Sequence, residues 1–361
     1  MTIGGSRPQA RISKSALRDN LAALKQSALP GTLFGPIIKA NAYGHGRDLV
    51  ASALLGDVDL FTVAEPFDAI GLSKVAPGRV VCLGTAYGEE LAELLHAGVR
   101  VTVTSAAALS ELGPGARVHL LVDTGLHRLG VAPESAVELA AAIRKTGATL
   151  EGLFCHVAGA DREDWPTVEA EIQILRRLPI DGVIRHAGGS SLVIARPDLV
   201  GDLARPGMSV YGHCPHPRQR SLIGLRQALT LVAPIIELRH VNRGDHLGYA
   251  AVPISKDTIV ATLAIGVCHG LDPRWAENYG YVNIRNVHCP LLAAPMLDYT
   301  LVDVSGVPGV AIGDMATILG GAAGEHYNLG LSVEAVAERL NETPEHVVVG
   351  IHECVPRVLT P

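Results

Sequence analysis

Phe34-Gly35-Pro36-Ile37-Ile38-Lys39-Ala40-Asn41-Ala42-Tyr43-Gly44-His45-Gly46 is the stretch on which the reading of this chain turns. Its apolar run, Phe34 to Ile38, has the character of a buried parallel strand. A lysine at the carboxyl end of such a strand stands where α/β barrels place their chemistry. Gly44 and Gly46 permit a tight turn, and Tyr43 and His45 set polar groups beside the ammonium. Partial burial lowers a lysine's pKa and frees its amine, which makes Lys39 a candidate Schiff-base former. The plainer alternative is a solvated lysine at a strand end, and the rest of the chain decides between them.

Outward from this stretch, short apolar strands alternate with helical segments. Strands are expected near Leu33–Ile38, Leu60–Ala64, Val80–Leu83, Val99–Thr104, Val118–Val122, Leu150–His156, Gly182–His186 and Leu203–Arg205. Ser13–Ser27 forms an amphipathic helix with Leu17, Leu21 and Leu24 on one stripe. Further helices are expected at Glu65–Val75, Glu89–Ala97, Ala106–Leu112, Ser135–Lys145 and Trp165–Leu178. Eight strands alternating with helices describe an α/β chain with an N-terminal (β/α)8 TIM-type barrel. After about Leu229 the rhythm changes to strands with few helices: Thr230–Arg239, Thr258–Ile265, Tyr281–Ile284, Leu301–Val304 and Ala316–Leu319, then a helix at Ser332–Leu340. The division expected is a barrel over residues 1–229 and a C-terminal β domain over 230–361.

The bulk properties agree. A chain of 361 residues is too long for one ordinary core, and its hydrophobic content of 48% is ample for two. No apolar run reaches the ~18 residues that span a bilayer, and Met1–Arg11 lacks the apolar core of a signal peptide. A net charge of −6, with scattered basic residues, argues against nucleic acid or a membrane as partner. Cys82, Cys155, Cys214, Cys268, Cys289 and Cys354 are never spaced as C-x-x-C, which fits a reduced, cytoplasmic protein.

Polar groups cluster at the ends of several barrel strands. Asp123-Thr124-Gly125-Leu126-His127-Arg128 follows the fifth, Cys155-His156 the sixth, His186-Ala187-Gly188-Gly189-Ser190 the seventh, and Arg205-Pro206-Gly207-Met208 the eighth. The loops after strands seven and eight are a common phosphate site in such barrels. Any one segment alone reads as a polar barrel-top loop; their joint occurrence points to a site.

The Lys39–Gly46 run closely resembles the cofactor-lysine signature of alanine racemases, two-domain pyridoxal phosphate (PLP) enzymes. The resemblance extends along nearly the whole chain, through Val122–Gly125 with Arg128, the His156 segment, Arg205-Pro206-Gly207, Tyr211-Gly212, Gly248-Tyr249-Ala250, Thr262–Gly266, and Asp298 with Asp303. It implies an amino-acid racemase in which Lys39 carries PLP. By the same resemblance Tyr43, Ser190, Gly207 and Met208 hold its phosphate, His156 lies against its ring, and Arg205, steadied by His186, meets the ring nitrogen. Arg128 sits near the substrate carboxylate. Tyr249 reaches in from the second subunit of a homodimer as the base opposite Lys39, with Asp298 supporting it and Leu297 in the substrate pocket. The chemistry is coherent: PLP is an electron sink at Cα, and a cation at its ring nitrogen opposes protonation there. Inverting a stereocentre needs a proton removed from one face and returned to the other, hence two bases. A free phenol titrates near 10, so Tyr249 must have cationic or hydrogen-bonding neighbours.

Departures from the family pattern are specific. A usual lysine two residues before Asp123 is Leu121, so Arg128 needs another support, for which His127 is the candidate. Gly189 replaces an asparagine, Val267 a pocket tyrosine, and Met296-Leu297 a Cys-Met pair; Glu345 falls where a phosphate-contacting tyrosine is expected. A smaller Val267 and an acidic Glu345 leave room for a substrate larger or more polar than alanine. The competing functions are a PLP lyase, aldolase or decarboxylase on the same fold, and a non-catalytic PLP-binding protein. His352-Glu353-Cys354 resembles the metal pair of some PLP aldolases, and His213-Cys214-Pro215-His216 is a second candidate; both spacings are weak motifs, and no metal is expected.

Overall fold

The computed structural model describes residues 7–277, 280–321 and 330–361. A first strand, β1 (Gln9–Ser13), precedes the helix Lys14–Ser27. Eight strands then follow at intervals: β2 (Leu33–Phe34), β3 (Phe61–Val63), β4 (Val80–Thr85), β5 (Arg100–Val103), β6 (Arg117–Leu121), β7 (Thr149–Phe154), β8 (Ile184–His186) and β9 (Leu203–Ala204). β3 to β8 pair in parallel, in chain order. β2 pairs with β9, and an Ile37–Thr62 bridge joins the β2 segment to β3. The circuit closes where Asp202 donates its N–H to Arg185 O at 2.7 Å and Arg205 its N–H to Gly188 O at 2.6 Å.

The helices follow their apolar spacing. Leu17, Leu21 and Leu24 are at most 1% exposed, each contributing roughly 1.5–3 kcal/mol by burial. Trp165–Arg177 buries Val168, Ile172 and Leu175, three and four residues apart. The helix expected at Ala106–Leu112 is a short 3-10 turn, Ala106–Glu111, started by Ser105 accepting the Ala107 N–H. Gly113 and Pro114 directly behind it leave no length for a full α-helix.

By compactness the chain divides into two units. One comprises Leu17–Ala42 with Arg47–Leu225; the other comprises the residues up to Ala16, Tyr43–Gly46 and Arg226–Pro361. The second unit is built around the long strand β10 (Leu229–Val241). It continues with β11 (His246–Leu247), β12 (Val252–Pro253), β13 (Thr258–Leu263), β14 (Tyr281–Ile284), β15 (Val287–Pro290), β16 (Thr300–Asp303), β17 (Met315–Leu319) and β18 (Arg357–Thr360). β10 pairs antiparallel with β1, β13 and β17, and β1 lies parallel to β18. Local pattern does not announce β1: its pairing partners begin more than 200 residues further on. The tight hairpin β11–β12 presents Tyr249 between its strands.

Candidate active site

After Ile38 the backbone turns through Ala40, Asn41, Ala42 and Tyr43, all left-handed, with φ of 51°, 52°, 55° and 50°. None is glycine, and each such residue costs roughly 1–2 kcal/mol, so the surroundings must hold the turn. Asn41 Oδ1 accepts the Arg47 N–H at 2.8 Å. Gly44 O accepts from Arg357 Nε at 2.9 Å. A Cβ on Gly44 would lie 2.1 Å from Val348 O, so this close approach requires glycine. The fully buried His45 brings Nδ1 within 2.9 Å of Tyr43 O. The turn fixes the half-buried Lys39 at the strand end, while Tyr43, largely buried, falls within the C-terminal unit.

Arg205 is the largest fully buried side chain of the barrel. One guanidinium nitrogen donates to Cys155 O at 2.8 Å, and its carbon stands 5.1 Å from the Phe154 ring centroid. Burial lowers it to about 10, which leaves it cationic at neutral pH. Its Nε–H is buried and has no hydrogen-bond partner among the described residues. His186 stacks on Phe154, centroids 4.8 Å apart and planes 3° apart, and Nε2 of His186 lies 2.9 Å from Nδ1 of His119. His119 was not legible as a site residue: one histidine within the apolar strand Val118-His119-Leu120-Leu121 reads as core. Burial holds His186 well below the ordinary imidazole range, and the charges of Arg205 and His119 act in the same direction.

On the loops after β8 and β9, Ser190 Oγ accepts the Gly207 N–H at 3.0 Å and lies 3.5 Å from the Ser209 N. Ser190 opens the helix Ser190–Ala195, whose first N–H groups have no intrahelical acceptors. Among the described residues, a Cβ on Gly189 would meet nothing within 4 Å, so the loop borders open space there. Met208 is buried at the head of the next turn.

His156 follows β7 and is exposed to solvent. Desolvation by the protein atoms around the ring, and then the charges of Arg205, Arg128 and Lys39, lower its imidazole below the ordinary range, which favours the neutral form. These four residues thus share one electrostatic neighbourhood at the barrel mouth. Arg128 is exposed and makes no hydrogen bond or ion pair among the described residues. His127 does not support it. That ring turns to Asp123, with Nδ1 3.0 Å from Oδ2, and Asp123 Oδ1 also accepts the His127 N–H at 2.9 Å. Leu121, where a lysine was expected, is buried at the end of β6.

These groups suit PLP. The orphaned Arg205 donor is complementary to a pyridine nitrogen, the Ser190–Gly207–Met208 loops to a phosphate, and Lys39 to an aldehyde. Arg128 is left available to a carboxylate.

In the C-terminal unit, Tyr249 is 94% exposed and Leu297 65%. Gly248 packs close to Met296, so the hairpin borders the Leu297 segment. Asp298 Oδ1 accepts from Cys268 Sγ at 3.2 Å. Val267 is part of a cavity of ≈ 240 Å³ with Leu271, Trp275 and Val336, whereas Glu345 is exposed in the first turn of Pro344–Val349. His352 Nδ1 accepts the Cys354 N–H at 3.2 Å. Among the described residues no group of three His, Cys, Asp or Glu could hold a metal ion.

Residues 12–215 match the alanine racemase N-terminal domain and residues 228–359 the alanine racemase C-terminal domain. An alanine racemase of Deinococcus deserti is 33% identical, over 99% of each chain. One of Deinococcus radiodurans is 34% identical over 87% of this chain and 90% of its own. Among solved structures, alanine racemase of Clostridium difficile superposes with a TM-score of 0.89 at 25% identity, covering 99% of this chain and 96% of that one. That of Streptomyces lavendulae gives 0.86 at 28%, covering 99% and 98%. The chain belongs to the alanine racemase family, as a PLP-dependent amino-acid racemase.

Proposed function

We propose that the enzyme inverts Cα of a small amino acid by a two-base mechanism, with Lys39 on one face and Tyr249 on the other. The observation that carries this is the group at the barrel mouth: a lysine at a strained strand end, a neutral His156, an unengaged Arg128, and a buried Arg205 with a donor to spare. Bound PLP supplies an electron sink for the carbanion at Cα. Arg128 orients the substrate carboxylate. Arg205 remains cationic at neutral pH and would discourage protonation of a pyridine nitrogen held beside it. Tyr43, Ser190, Gly207 and Met208 hold the phosphate. Lys39 Nζ and Tyr249 Oη take and return the Cα proton.

Tyr249 is exposed on its own chain, which suits a phenol delivered to another subunit. We therefore propose a homodimer with shared active sites, working in the cytoplasm, with Asp298 and Leu297 beside Tyr249 at the substrate. Alanine is a substrate, by analogy with the named relatives, and a larger or more polar amino acid competes, because Val267 and Glu345 replace tyrosines of the family pattern. Mixing Lys39→Ala with Tyr249→Phe subunits is the test. Activity recovered in the hybrid supports shared sites; none, with subunit exchange confirmed, sinks the cross-subunit base.

A further inference from the structure

Two histidines lie in the barrel core beneath the cofactor residues, both 0% exposed, with His119 Nδ1 2.9 Å from His186 Nε2. The strand beside them makes room for this pair. Gly152 stands opposite His119 in the β6–β7 register, and a Cβ there would lie 2.4 Å from Nδ1 and 2.7 Å from Cγ of the ring. Phe154, two residues along, stacks on His186 and carries the Arg205 guanidinium on the same ring. His119 also lines a cavity at the amino ends of the strands, with Asp59, Arg100 and Glu151. A column therefore runs from the barrel floor through His119 and His186 to Arg205.

Burial and the positive charges of Arg100, Arg205 and Arg117 keep His119 neutral, down to about 3, and His186 is neutral for the like reason. Two neutral imidazoles share a hydrogen bond only when one nitrogen carries the proton and the other is bare. The two rings are then coupled: when His119 Nδ1 carries the shared proton both are Nδ1–H, and when His186 Nε2 carries it both are Nε2–H.

We propose that His119 is a positioning residue for the racemase: it ties the tautomer of His186 to its own and holds the plane of that ring, and through His186 and Phe154 it sets the seat of Arg205. This rests on the reading that Arg205 faces the ring nitrogen of PLP.

The test uses the full chain with 15N-labelled histidine, first without cofactor and then titrated with PLP. In the wild type His186 is expected to be neutral and in the same tautomer as His119. In His119→Phe it becomes a mixture of the two, and PLP binds about tenfold more weakly, the size of one buried hydrogen bond. His119→Asn, whose amide can meet His186 Nε2, restores both readouts; a residue that merely filled space would be rescued by Phe rather than Asn. Two results overturn the proposal: wild-type His119 and His186 in unlike tautomers, which needs no variant, or a His119→Phe protein whose His186 tautomer and PLP affinity are both unchanged. If Arg205→Lys leaves PLP affinity unchanged, the underlying assignment of Arg205 fails instead, whatever the His119 variants show.

Discussion

The barrel mouth and the β11–β12 edge of the C-terminal unit carry the two halves of the proposed chemistry, and they are built in opposite ways. At the mouth, Arg205 is 2% exposed and locked on Cys155 O, Ser190 is held by backbone N–H groups, and Lys39 stands on a strained turn. At the edge, Tyr249 and Leu297 are 94% and 65% exposed. A buried cation with an unused donor is costly unless something completes it, so the mouth is prepared for a bound group. An exposed phenol costs nothing to leave in water, so the edge gains a role only where another surface meets it. The first region finds its partners within its own chain; on the proposal of shared sites, the second finds them on another.

Lys39→Ala gives the largest expected effect. It should abolish the borohydride-reducible visible band and lower racemisation by on the order of 10²–10⁴-fold, measured with both enantiomers. A retained reducible band would move the cofactor lysine elsewhere. Tyr249→Phe should keep that band and lose Cα proton exchange mainly from one enantiomer, by on the order of 10²-fold. Because Tyr249 is so exposed, its removal should change stability by no more than about 0.5 kcal/mol. Normal exchange of both enantiomers in deuterated buffer would end the two-base reading.

The buried histidines sharpen the contrast through acid. His119 is held at about 3 against an ordinary 6.5, so the unfolded chain binds a proton that the native chain refuses. Its contribution to stability is complete above pH 6.5 and is lost as pH falls from there toward about 3. Melting temperature of the cofactor-free protein across that window should fall less steeply in His119→Phe than in the wild type. Parallel curves would contradict a buried neutral His119.

Two smaller effects remain. Val267→Tyr should shift kcat/KM toward alanine over serine, lysine and arginine by about tenfold, the worth of a small change in pocket volume. Because Val267 lines a cavity of its own unit, an unchanged ranking would remove it from substrate selection. Ala40→Gly, at an exposed left-handed position, should stabilise the chain by up to about 1 kcal/mol, seen as a rise in melting temperature. A fall would mean that the methyl group is held by contacts that outweigh the backbone strain.

The sequence by itself determined the barrel and the place of its chemistry. Eight apolar runs separated by amphipathic helices admit few other folds, and Lys39, His156, Ser190 and Arg205 each follow a strand, where barrel geometry brings loops together. Only the tertiary structure decided the rest, because it depends on residues far apart in the chain. β1 is a strand because β10 and β18 lie on either side of it. His127 could have supported Arg128 by proximity in sequence, yet the loop gives it to Asp123. His119 looked like one more core position until the fold placed His186 within 2.9 Å and Gly152 beside its ring. Periodicity reports which side of an element is buried, but not which buried polar group meets which, and that second question decides where protons and charges sit.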